Sequence, residues 1–113
     1  MQTVKRHATG NVSIVECDPS GKHIILENTS ESVPEDVSHF KIRRVVDGTQ
    51  VVTFQLPPRS VIYPKEELKI FGRNIVVESQ PSGGQGAVVE TFLYTSHGIE
   101  KASHIQTTVA SSR

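Results

Sequence analysis

The sequence predicts a β-sandwich. Short runs with alternating apolar residues recur at close spacing, turn-forming residues separate them, and no stretch carries the i, i+3, i+4 apolar period of an amphipathic helix. Val, Ile and Thr dominate the runs, and branched side chains of this kind pack well on a pleated surface. The reading gives eight or nine short strands.

The first pair lies in Gly10–Asn28, GNVSIVECDPSGKHIILEN. Strands are predicted at about Val12–Cys17 and His23–Asn28 around a turn at Asp18-Pro19-Ser20-Gly21. There an Asp side chain can accept a backbone hydrogen bond, Pro presets φ, and Gly closes the turn. Before this pair, residues 1–10 show no period and read as a flexible tether. Thr29–Val37 is polar, acidic and contains Pro34, which predicts a surface loop.

Over Ser38–Val46, Phe40 and Ile42 fall on one face, and His39, Lys41, Arg43 and Arg44 are read as solvent-facing. Asp47-Gly48 is a strong hairpin signal, because both residues tolerate φ > 0. The returning strand, Thr49–Leu56, sets Val52, Phe54 and Leu56 on one face and is stopped by Pro57-Pro58. Arg59–Lys65 reads as a crossover anchored by Val61 and Ile62. Glu67–Phe71 alternates with Leu68 and Ile70 inward, Gly72–Asn74 turns, and Ile75–Glu78 is a short apolar strand. Ser79–Gly86 is too Gly- and Ser-rich to hold a strand. Ala87–Thr95 and Ile99–Thr108 form the last pair around Ser96-His97-Gly98, and residues 110–113 are expected to fray. The domain is thus placed at 11–109.

Composition bounds function. At 113 residues and 35% hydrophobic content, the chain can bury one modest core. Twelve basic and twelve acidic side chains balance, at a pI near 7.0. That balance creates no general field to draw nucleic acid or an anionic membrane. The aromatic content of 5% leaves little for base stacking. Cys17 is the single cysteine, so no intrachain disulfide can form, which favours a reducing compartment. No apolar run approaches the roughly 20 residues of a membrane span, and MQTVKRHATG is too polar for a signal peptide. Sequons at Asn11 and Asn28 are read as chance matches. Cytoplasm or nucleus is the expected location.

No catalytic constellation emerges. None of the histidines, at 7, 23, 39, 97 and 104, lies at ligand spacing from another or from Cys17, so no metal or other cofactor is expected. Cys17 has no base placed beside it by spacing and reads as a small buried hydrophobe. Ser-Gly-Gly-Gln-Gly is not followed by the Lys-Ser/Thr of a phosphate loop. Adjacent Glu66 and Glu67 would point to opposite faces of a strand. What remains is a basic group, Lys41, Arg43, Arg44 and Arg59, as a candidate face for protein contacts.

The strings themselves resemble the tail domain of lamins and of other intermediate filament proteins. Glu16, Asp18, Gly21, Lys22 and the strand-ending Asn28 match that family's first turn. Phe40-Lys41-Ile42-Arg43-Arg44 stands where the family has an aromatic-x-aliphatic-basic-basic strand, usually opened by Trp. Phe54-Gln55-Leu56-Pro57-Pro58-Arg59, Ile62, Leu68-Lys69-Ile70-Phe71 and the Val89–Glu100 hairpin follow in the family's order, so the resemblance spans about Gly10–Val109. There is no Trp, no prenylation motif and no basic import cluster, which favours the cytoplasmic invertebrate branch, nematodes included, over nuclear lamins.

The resemblance implies an immunoglobulin-like sandwich that is not an enzyme. It implies a tail projecting from a coiled-coil rod and touching other filament subunits and filament-associated or junction proteins, in the cytoplasmic cytoskeleton. The alternatives are a free-standing immunoglobulin-like adaptor domain and a nuclear lamin tail.

Overall fold

The computed structural model describes residues 2–17, 23–48, 50–71 and 86–109. Every element among them is a strand. In chain order these are β1 (Gln2–Ala8), β2 (Val12–Cys17), β3 (His23–Asn28), β4 (Glu35–Asp36), β5 (Lys41–Val46), β6 (Gln50–Gln55), β7 (Val61–Ile62), β8 (Glu67–Phe71), β9 (Gly86–Tyr94) and β10 (Glu100–Val109). A five-stranded sheet runs β1-β10-β9-β5-β6, a three-stranded sheet runs β2-β3-β8, and β4 pairs with β7. All pairings are antiparallel. This is the all-β sandwich that the sequence predicts, with ten strands among the described residues against the eight or nine expected.

The strand β1 corrects the N-terminal expectation. Residues 2–8 are not a tether but β1, paired with β10 in continuous register from Gln2↔Thr108 to Ala8↔Ala102. The segment shows no period because both of its faces are largely solvent-exposed, as an edge strand allows. The two-residue β4 likewise lies inside the predicted loop Thr29–Val37. By contrast, the predicted bounds of β2, β3 and β8 coincide with those observed. The turns at 18–21 and 72–74, the strand at 75–78, nearly all of the 79–86 loop and the terminus at 110–113 lie outside the described residues.

The core forms where the two larger sheets face each other. Ile42, Leu93 and Ala102 stand side by side on β5, β9 and β10. They meet Val12 and Ile14 of β2, Ile24 and Leu26 of β3, and Ile70 of β8, with Val37, Leu56 and Ile62 completing the cluster. Phe40, Phe54 and Leu68 pack against it, half-buried. Burying a side chain of this size contributes about 1.5–3 kcal/mol.

Asn28 closes one end of this core and is itself fully buried. Its Nδ2 donates to the carbonyls of Val33 (2.7 Å) and Ile62 (2.8 Å), and its Oδ1 accepts from the N–H of Ser30 (2.9 Å). Its own N–H donates to Glu66 O, and its carbonyl accepts from Lys65 N. One side chain thereby ties the end of β3 to the following loop and to β7, which accounts for an amide at this position in physical terms.

At the β5–β6 hairpin, Asp47 (φ 52) and Gly48 (φ 75) both adopt the left-handed conformation, as that dipeptide predicts. The first paired residues are Val46 and Gln50, so the connection is a residue longer than a two-residue turn. Asp47 Oδ1 also accepts from Val88 N at 2.8 Å, fastening the turn to β9.

Candidate interaction surface

The predicted basic group splits in two. Alternation along β5 sends Lys41 and Arg43 to the outer face of the five-stranded sheet, where both are exposed. Arg59 is also exposed, in the turn after Pro57-Pro58, and holds a positive φ of 64°. It lies at the same end of the β5–β6 hairpin as Lys41, whose register partner is Gln55. Arg44 does not belong to this face. It shares the parity of Ile42, points inward, and is 1% exposed. Period-two geometry overrode the expectation that charge places a residue outside.

The outer face holds a feature that the basic group alone did not reveal. Lys41 stands opposite Tyr94, and Arg43 opposite Phe92, on the adjacent strand β9. The two half-buried rings lie 6.2 Å apart at 34°. Cations therefore border a small aromatic platform. Carboxylates also flank it, since Glu90 lies on β9 and Glu100 stands opposite Tyr94 from β10. The signal was available, because 92 and 94 alternate with buried Thr91 and Leu93.

Arg44 enters a polar row on the inner face. The registers Arg44↔Thr91, Thr91↔His104 and His104↔Arg6 carry it across four strands. Thr91 and His104 are buried, and Arg6 reaches the Val15 carbonyl at 3.5 Å. Burial, and secondly the positive charge of Arg6, hold the His104 imidazole below its ordinary pKa. This row lies beside the apolar core and replaces hydrophobic packing over that part of the sheet.

Among the described residues, no three His, Cys, Asp or Glu side chains group as metal ligands would, and no helix is long and apolar enough to cross a membrane. An apolar cleft of about 290 Å³ opens between β6 and β8, lined by Phe54, Leu56, Pro57, Leu68, Ile70 and Phe71, among others.

The fold is an all-β sandwich, and sequence relatives give its kind. The chain is homologous to intermediate filament proteins of nematodes. It is 68% identical to intermediate filament protein ifb-2 of Caenorhabditis elegans, over 96% of this chain and 22% of that protein. Identity is 38% to intermediate filament protein ifa-3 of the same species, over 90% of this chain and 19% of the relative. It is 35% to intermediate filament protein B of Ascaris suum, over 95% and 20%. The chain thus spans about a fifth of the length of these relatives. No protein-family model matches it.

Proposed function

We propose that this chain is the non-catalytic tail domain of a cytoplasmic intermediate filament protein. Its role is to make protein–protein contacts that position or cross-link filaments and so support the mechanical integrity of cells. The observation that carries the reading is the near-complete match of this chain to about a fifth of several cytoskeletal proteins. That share fits one terminal domain beside a long rod. Lys41, Arg43 and Arg59 with the Phe92–Tyr94 platform are the contact face, and acidic surfaces of neighbouring subunits or of filament-associated and junction proteins are its partners. Single contacts of this kind are weak, and repetition along a filament makes them effective.

The test compares the full-length protein with a form lacking this domain. Both should assemble filaments, because the rod drives assembly. Only the full-length form should form bundles that sediment at low speed. Equal bundling by the two forms would refute a contact role.

A further inference from the structure

Each sheet edge of a sandwich exposes unpaired N–H and C=O groups, and folds ordinarily blunt such edges with charge, Pro or bulges. Three of the four edges of the two larger sheets, among the described residues, are protected in this way. β1 carries Lys5, Arg6 and His7; β8 carries Glu67 and Lys69; and the β2 ladder is broken by a bulge between Ile14 and Glu16. The fourth edge, β6, has no such device. Its sequence is QVVTFQ, and from Gly48 to Leu56 no residue is charged and none is proline. Among the described residues β6 pairs only with β5.

The direction of its outer backbone groups follows from one hydrogen bond. Leu56 N donates to Phe40 O across the hairpin at 2.8 Å. Because amide direction alternates along a strand, Phe54 and Val52 also face β5, whereas Val51, Thr53 and Gln55 turn their N–H and C=O outward. Val51 is 49% exposed.

The two sides of this edge differ. Beneath it lies the mainly apolar cleft to β8, lined by Phe54, Leu56, Leu68 and Phe71, with Lys69 and Ser60 also contributing. Above it, one strand in, are Lys41 and Arg43, with Arg59 at the end of the hairpin. A strand added to β6 would lie about 10 Å from β5, within the combined reach of a glutamate and an arginine side chain. Its alternate residues would face the cleft on one side and the cations on the other.

We propose that β6 is a strand-addition site. Its occupant is an extended segment of a partner protein in which carboxylates alternate with apolar residues. Backbone bonds at Val51, Thr53 and Gln55 hold the segment; the apolar side chains enter the cleft and the carboxylates meet Lys41, Arg43 and Arg59. The proposal rests on the reading of the chain as a contact module and names the site and chemistry of that contact.

The probe is a synthetic nine-residue peptide alternating Glu and Val, with a Lys-Val peptide as control, titrated into the 113-residue chain. Amide exchange is followed residue by residue. The Glu-Val peptide should slow exchange at Val51, Thr53 and Gln55 and leave Val52 and Phe54 as they were. Lys41→Glu with Arg43→Glu should weaken the Glu-Val peptide at least tenfold and favour the Lys-Val one. Thr53→Pro removes an outward donor and should abolish binding while the melting transition stays cooperative. Protection confined to β10 or β9, equal binding of the two peptides, or no binding at all would overturn the proposal. So would self-association through β6 that the peptide does not compete with. Filament bundling separates the levels. If bundling needs the domain but survives Thr53→Pro, the contact role stands without strand addition. If bundling never needs the domain, the contact role itself falls.

Discussion

Asn28→Ala tests whether one amide holds the end of the sandwich. The substitution leaves the backbone bonds of residue 28 in place and deletes the three side-chain bonds, to Val33 O, Ile62 O and Ser30 N. The bond to Ile62 is fully buried and the other two are partly so. Unpaired buried groups cost about 1–3 kcal/mol, and a partly solvated bond contributes about 0.5–1. Together the loss is about 2–5 kcal/mol, out of a typical domain stability of about 5–15. Asn28→Asp separates hydrogen bonding from space filling. It places a carboxylate oxygen where Nδ2 met two carbonyls, so the native-state pKa of that carboxyl is raised above its unfolded value of about 3.9. Below that value the side chain is neutral in both states and the loss is smallest. As pH rises towards the native-state pKa, ionisation favours the unfolded chain by up to about 1.4 kcal/mol per pH unit. Urea unfolding of wild type and both variants at pH 4, 5.5 and 7 reads this directly. Relative to wild type, the Ala variant should be equally destabilised at each pH and the Asp variant progressively more so. An Ala variant within about 0.5 kcal/mol of wild type, or an Asp variant with no pH-dependent difference, would refute the reasoning.

Three further outcomes follow from packing and charge. Phe40→Ala should cost about 2–3 kcal/mol in denaturant unfolding, below the range for fully buried aromatics, because Phe40 is only half-buried against the core. Arg44→Ala should cost about 3 kcal/mol, because it empties a fully buried site, whereas Arg43→Ala should stay within about 0.5 kcal/mol and weaken only partner binding. His104 has a native-state pKa below its unfolded value, so the folded form loses stability as pH falls through about 6.5, where the unfolded chain takes up a proton that the native one resists. Thermal melts from pH 7.5 to 5 should show a smaller loss for His104→Gln than for wild type.

What could be read in the sequence was local. The bounds of β2, β3 and β8 follow from short-range alternation between turn residues, and Asp47-Gly48 marks its hairpin through backbone conformation alone. β1 was illegible because it earns its place through a partner about a hundred residues away and buries almost nothing of its own. Of the candidate face, Lys41, Arg43 and Arg59 were legible as exposed cations. Arg44 was misplaced because its charge was weighed above its parity with Ile42. The row Arg44-Thr91-His104 could not be seen at all, since only the registers of β5, β9 and β10 bring those residues together.

The pairing of β1 with β10 also bears on how the domain is made. Gln2 waits for Thr108, so the first strand of this domain to be synthesised is joined by β10, the last one described. At about 5–20 residues per second, that leaves β1 unpaired for roughly 5–20 s. Over this interval β2–β9 can each find a neighbour, and among the described strands β1 alone stays open to wrong partners. Lys5, Arg6 and His7 then do their work before the fold exists, keeping a lone strand hydrated until β10 arrives. Replacing Lys5 and His7 with apolar β-formers would lower the yield of newly synthesised chains.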